Sequence, residues 1–213
     1  MPRFLVPRLL ILLAITGCGP SAGRSVPSQT TLDLDFPVGS FRLTERSGRT
    51  VTEADLRGKV WVASFVFTRC LGPCPAVTGT IQGLQTDLRD VPEARFVTFT
   101  VDPGRDSPGE LQAYADKFHA DPERWLFLTG DEKSLHTLMR DRFKLAVGRK
   151  EGPEVKEGDE FDHSTRLSVI DKHGVIRATF EGMRNDLIPD GKAVFEAGLN
   201  RLKEKVRALA AEK

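Results

Sequence analysis

Cys70 and Cys74 bracket Leu71-Gly72-Pro73 at the point where a strongly apolar segment, Val60 to Phe67, gives way to a helical pattern after Pro75. Such a strand-to-helix junction is a crevice position that open α/β sheets use for ligands. A helix N-terminus stabilises anions and lowers thiol pKa values, so the spacing predicts that both sulfurs are presented rather than buried and that Cys74 is held as a thiolate. Thiolates attack disulfides or bind soft metals. Gly72 and Pro73 let the loop curl until both sulfurs face one point, but two ligands rarely complete a functional metal site, so the metal reading needs a third donor.

Four histidines could supply it. His119 at a helix end and His136 in mid-helix read as surface or partly packed side chains, and His173 as an exposed turn tip. His163 differs: it follows a charged, glycine-containing stretch, Gly148 to Asp162, read as an exposed loop, and it precedes a strand pattern. Asp162 beside it is a carboxylate that could orient the imidazole of a metal ligand.

The remaining cysteine, Cys18, closes a different pattern. Arg3 and Arg8 precede an apolar run, Leu9 to Ile15, too short to span a bilayer, so residues 1–17 read as an export signal. Ile15-Thr16-Gly17-Cys18 resembles the lipobox of bacterial lipoproteins, whose cysteine is lipidated and becomes the new N-terminus; the bland reading is a secreted protein with Cys18 merely at the signal's end. Residues 18–35 are small, polar and proline-interrupted, as in a tether, which leaves 36–213 as one domain. With Cys18 lipidated, only Cys70 and Cys74 remain to pair, and a disulfide closing so short a loop stabilises little. The 31 basic and 30 acidic residues give a net charge of +1, which implies no general attraction to nucleic acid or anionic lipid, so membrane attachment falls to Cys18.

The elements that must position the cysteines follow from periodicity. Val60 to Phe67 reads as a central strand buried on both faces, Arg95 to Val101, Trp125 to Leu128 and Leu167 to Ile170 as further strands, and Asp171-Lys172-His173-Gly174 as a hairpin turn leading into Val175 to Phe180. Val77, Ile81, Leu84 and Leu88 mark one helix face. Ser107-Pro108-Gly109-Glu110 opens a second helix, Leu135, Leu138 and Met139 suggest a third, and Phe195, Leu199, Leu202, Val206 and Leu209 stripe a last one beginning near Asp190. Strand-helix alternation ending in a hairpin and a closing helix predicts an α/β domain with a central mixed sheet flanked by helices, compatible with a thioredoxin-like fold.

Cys-x-x-x-Cys-Pro after an apolar strand, Val101-Asp102-Pro103 followed by Arg105-Asp106-Ser107-Pro108, and Asp162-His163-Ser164 before a strand together resemble the Sco/SenC family, over about residues 36 to 200. The resemblance implies a copper-binding metallochaperone that helps assemble the binuclear copper site of cytochrome c oxidase subunit II, supplied by an upstream copper donor. It implies Cys70, Cys74 and His163 as the copper ligands, with Asp162 as an acidic neighbour. Two thiolates and an imidazole suit Cu(I), whereas structural zinc usually takes four protein ligands; Cu(II) with an added ligand stays open. The competing reading is a thiol-disulfide oxidoreductase using Cys70 and Cys74, with His163 incidental. Thioredoxin-like oxidoreductases place a cis-proline opposite their cysteines, but this chain has no proline between Pro153 and Pro189.

Overall fold

The computed structural model describes residues 34–162 and 164–212; Cys18, the rest of the tether up to residue 33, and His163 lie outside the described residues. In chain order the elements are β1 (Phe36–Pro37), β2 (Arg42–Glu45), β3 (Thr50–Thr52), a turn of 3-10 helix (Glu53–Leu56), β4 (Val60–Val66), α1 (Cys74–Asp87), β5 (Ala94–Thr100), α2 (Pro108–Lys117), β6 (Trp125–Thr129), α3 (Glu132–Asp141), β7 (Gly148–Arg149), β8 (Phe161–Asp162), β9 (Arg166–Ile170), β10 (Val175–Glu181) and α4 (Gly191–Ala211). Eight of the strands form one mixed sheet, ordered β1-β10-β9-β4-β5-β6-β2-β3; β7 and β8 form a separate ribbon.

β4 lies at the centre because every residue in it is apolar or small, so it can be covered on both faces, and all seven are buried. It runs parallel to β5 and antiparallel to β9, which places its C-terminal end, and hence the cysteine loop, beside the end of β5. Phe65 on one face stacks on Phe99 at 5.6 Å and meets Phe143 edge-on at 4.9 Å. On the other face the polar groups find one another: Ser64 Oγ lies 2.9 Å from Thr98 Oγ1, which accepts from Trp125 Nε1 at 2.8 Å. A buried polar row of this kind costs little only because each hydroxyl is paired.

α2 and α3 start on side-chain caps. Ser107 Oγ accepts from the Glu110 amide at 3.3 Å and Asp131 Oδ1 from the Ser134 amide at 2.9 Å, each satisfying a first-turn N–H. The predicted hairpin joins β9 to β10, and Gly174 at φ +74° takes the left-handed conformation the turn requires.

Several features depart from the sequence reading. Four short elements before β4, namely β1, β2, β3 and the 3-10 turn, were not expected, since none is long enough to show a period. Leu34 and Asp35, assigned to the tether, already hold the sheet edge: the Leu34 amide donates to Arg177 O at 3.0 Å and Asp35 pairs with Arg177 at 3.1 Å. The stretch Gly148 to Asp162 is not wholly an exposed loop, because it is closed by the β7·β8 ribbon and Phe161 is buried. His136 is buried too, with Nε2 2.8 Å from Val101 O and its ring packed on Phe161.

Candidate metal and thiol site

Phe67 leaves the sheet into a tight turn in which the Cys70 amide donates back to Phe67 O at 3.2 Å. α1 then begins at Cys74, with Pro75 in its first turn, where a missing N–H costs nothing. The floor beneath the loop is tied down: Thr78 Oγ1 donates to Cys74 O at 2.8 Å and in turn meets Tyr114 Oη of α2 at 2.8 Å. The approach to the loop is tied as well, since Asp106 accepts from both the amide and the hydroxyl of Thr68, at 3.1 and 2.6 Å.

Cys70 and Cys74 are reduced, not joined by a disulfide, and their side chains are in hydrogen-bond contact. They are not presented, however: Cys70 is 6 % exposed and Cys74 0 %. The thiolate expectation for Cys74 is overturned with it. Burial pushes the Cys74 thiol far up, hydrogen bonding and charge from Cys70 and the Asp106 carboxylate add to the rise, and the Phe67 amide opposes it only weakly. The helix N-terminus still favours an anion at Cys74, but loss of water outweighs that field.

The β7·β8 ribbon and the loop it closes pack against the residues that flank Cys70. Phe161 on β8 packs against Phe67 at 5.6 Å, and the Leu71 amide donates to Gly158 O at 3.2 Å. Gly158 sits at φ +84° with Leu71 so close that an added Cβ would lie 2.5 Å from Leu71 Cγ, so only glycine fits this approach. Leu71 itself projects outward, 80 % exposed, and Pro75 and Ala76 beside it are exposed also.

Of the other predicted site residues, Asp162 lies on β8 with its carboxylate exposed and 3.7 Å from Lys150. His163, the next residue, is outside the described residues, as is Cys18. His119 and His173 are exposed, the former at φ +50° just past the end of α2. Among the described residues no group of three or more His, Cys, Asp and Glu is arranged to hold a metal. The sequence reading assigned no role to Asp106, Arg105 or Glu160. The first two stand in the Arg105-Asp106-Ser107-Pro108 motif, the one signal that could have pointed to them; nothing distinguishes Glu160 from its charged neighbours.

A buried, reduced cysteine pair at a strand-helix junction of a thioredoxin-like domain defines the class of protein. The family model of SCO1/SenC matches residues 30–188, and the chain belongs to that family. A SCO1/SenC family lipoprotein from Bacillus anthracis is similar in structure, with a TM-score of 0.69 and 28% identity, covering 85% of this chain and 98% of that one. BsSco, a member of the Sco family of cytochrome c oxidase assembly proteins in which a disulfide switch was identified, also has a TM-score of 0.69, at 25% identity, covering 85% and 97%. Bradyrhizobium japonicum ScoI with copper bound, at 24% identity and a TM-score of 0.60, covers 76% of this chain and 97% of its own and shares the fold.

Proposed function

We propose that this protein carries copper on Cys70, Cys74 and His163 and passes it to the binuclear copper site of cytochrome c oxidase subunit II or a similar acceptor. The observation that carries this reading is the reduced cysteine pair, in contact where β4 meets α1, beside a ribbon whose last residue, Asp162, directly precedes His163 in the chain. Two sulfurs and an imidazole suit Cu(I), and with Cys18 at the N-terminus no third cysteine remains for a zinc site. Binding would release the thiol protons as the metal takes their place, so loading is expected to be proton-coupled. The copper-bound ScoI and the oxidase-assembly role of BsSco are properties of those proteins that agree with this reading. Copper here is cargo, taken from an upstream donor.

Thiol-disulfide exchange on the same pair is the second reading, favoured by the contact between two reduced thiols and by the disulfide switch of BsSco. One substitution separates the two. In His163→Ala, copper affinity and loading of an oxidase copper-site acceptor should fall steeply, while reduction of a small disulfide by Cys70 and Cys74 should largely survive. Wild-type copper binding and acceptor loading in His163→Ala would leave exchange as the leading account. Asp162→Asn should be a weaker version, on the order of 10-fold in affinity, if its carboxylate orients the imidazole.

The same proposal places the domain outside the cytoplasm, held to a bacterial membrane by lipid on Cys18 after residues 1–17 are removed. Among the described residues no helix is long and apolar enough to cross a membrane. Cys18→Ser should move the protein from the membrane to the soluble fraction and remove the lipid mass. Unchanged membrane partitioning with no mass difference would sink the anchor.

A further inference from the structure

The turn between β5 and α2 works on both sides of the cysteine loop. One of its residues, Asp106, holds Thr68 ahead of Cys70. Another, Arg105, reaches the opposite way: its Nε pairs with the buried Asp102 and its Nη1 donates to Glu160 Oε1 at 2.9 Å. Glu160 uses its second oxygen, Oε2, to accept the Gly158 amide at 2.9 Å. Gly158 O then accepts the amide of Leu71, the residue immediately after Cys70. An unbroken path of hydrogen bonds thus runs from a buried carboxylate through Arg105, Glu160 and Gly158 to the backbone of the cysteine loop. Arg149, which stacks 4.7 Å over Phe161 and lies 3.4 Å from Asp102, braces the same ribbon from its other strand.

We infer that Arg105 and Glu160 are positioning residues that hold the Cys70-to-Cys74 loop in its metal-ready shape. This inference rests on the copper reading above. Neither residue needs to touch the metal. Their pair is 30 % and 13 % exposed in its side chains, so as a contribution to overall stability it is worth at most about 1 kcal/mol. Its placement makes it matter locally: without Glu160's charge, Gly158 loses its tie to Arg105, and the Leu71 amide is left bonded to a loop that is no longer anchored to the β5–α2 turn. Outer groups that orient metal ligands typically change affinity by about 10 to 100-fold.

The test uses the full chain, amide hydrogen exchange at Leu71 and Gly158, and Cu(I) affinity by chelator competition, in Glu160→Gln, Arg105→Met, Arg105→Lys and Gly158→Ala. Gly158→Ala breaks the same contact sterically rather than electrostatically. Glu160→Gln, Arg105→Met and Gly158→Ala should each raise Leu71 exchange and lower Cu(I) affinity about 10-fold, while Arg105→Lys restores part of both. The apoprotein melting temperature of the Glu160 and Arg105 variants should stay within about 4 °C of wild type, as loss of an exposed pair allows. Unchanged Leu71 exchange in Glu160→Gln and Gly158→Ala overturns the inference, and so does faster exchange with unchanged Cu(I) affinity. If the wild-type chain itself fails to hold Cu(I), the copper reading falls, and exchange at Leu71 alone then decides whether Arg105 and Glu160 hold the loop.

Discussion

Asp171 and Asp106 sit at opposite ends of the central sheet, both nearly inaccessible at 2 % and 1 % exposure, and each gathers the backbone of a turn. Asp171, at the hairpin end, takes the amides of His173 and Val175 on one oxygen, at 2.8 and 2.9 Å, and Arg177 Nε on the other at 2.6 Å. Asp106, at the cysteine end, is bound by the Thr68 amide and the hydroxyls of Thr68 and Thr100, and among the described residues no cation pairs with it. Burial raises both carboxyls, but at Asp171 the amides and the guanidinium outweigh it and the net shift is down. At Asp106 burial wins over the three neutral donors, Asp102 adds to it, and the net shift is up. One end of the sheet is locked by a compensated charge. The other keeps a poorly compensated carboxyl beneath the thiols, a local cost of the kind that collects at functional ends of folds.

The largest break in that comparison should come at Asp171. In Asp171→Asn the amide can still accept the two turn N–H groups, but its NH2 faces Arg177 Nε, donor against donor. Removing one partner of a fully buried pair costs about 3 to 5 kcal/mol. Arg177 is one-third exposed and keeps Asp35, so about 2 kcal/mol is the expected loss here, read as a fall of roughly 4 to 8 °C in melting temperature. Copper binding should not change. A loss under about 0.5 kcal/mol would show that Gly174 and the flanking strands hold the turn without the carboxylate.

Acid should separate the two ends as well. A carboxyl whose folded pKa is depressed contributes stability above its unfolded value and loses it as pH falls through the folded value, so the Asp171 contribution is intact down to about 3.8 and disappears below. A carboxyl whose folded pKa is raised behaves oppositely: Asp106 is without effect below 3.8, opposes folding increasingly as pH rises from 3.8 to its elevated value, and by a constant amount above it. Wild-type protein moved down from neutral pH should therefore gain from Asp106 before it loses from Asp171. Urea unfolding at stepped pH in wild type and Asp171→Asn checks the lower window: the difference between them should be flat above 3.8 and shrink below it.

The hairpin end was legible in the sequence and the cysteine end only half so, for a physical reason. Asp171, Gly174 and their strands are neighbours in the chain, and turn chemistry at that range is local. β4, α1 and α2 were legible because a continuous apolar run, a 3.6-residue period and a Ser-Pro cap leave clear marks. The spacing of Cys70 and Cys74 identified the pair, but the contacts of their loop reach Phe161, Gly158 and Glu160, about ninety residues on, in a charged stretch where two-residue strands show no period. The thiolate expectation failed because it weighed one nearby helix and not the burial of the pair.

The smallest predicted effect is also the most discriminating. Asp106→Asn keeps the shape and can satisfy every partner: with its oxygen where Oδ2 now lies, it accepts the Thr68 amide and the Thr100 hydroxyl, while its NH2 donates to Thr68 Oγ1, which can turn to receive it. What disappears is the buried charge. Because the raised pKa means that ionisation opposes folding at neutral pH, Asp106→Asn should be neutral or more stable than wild type by up to about 1 kcal/mol near pH 7, the scale of one hydrogen bond's net worth. That advantage should vanish below 3.8, where wild-type Asp106 is itself neutral. Urea unfolding at neutral and acid pH measures both. If Asp106→Asn is instead strongly destabilised at pH 7 and the gap closes on acidification, Asp106 is a stabilising carboxylate like Asp171, and the contrast drawn between the two ends of the sheet is wrong.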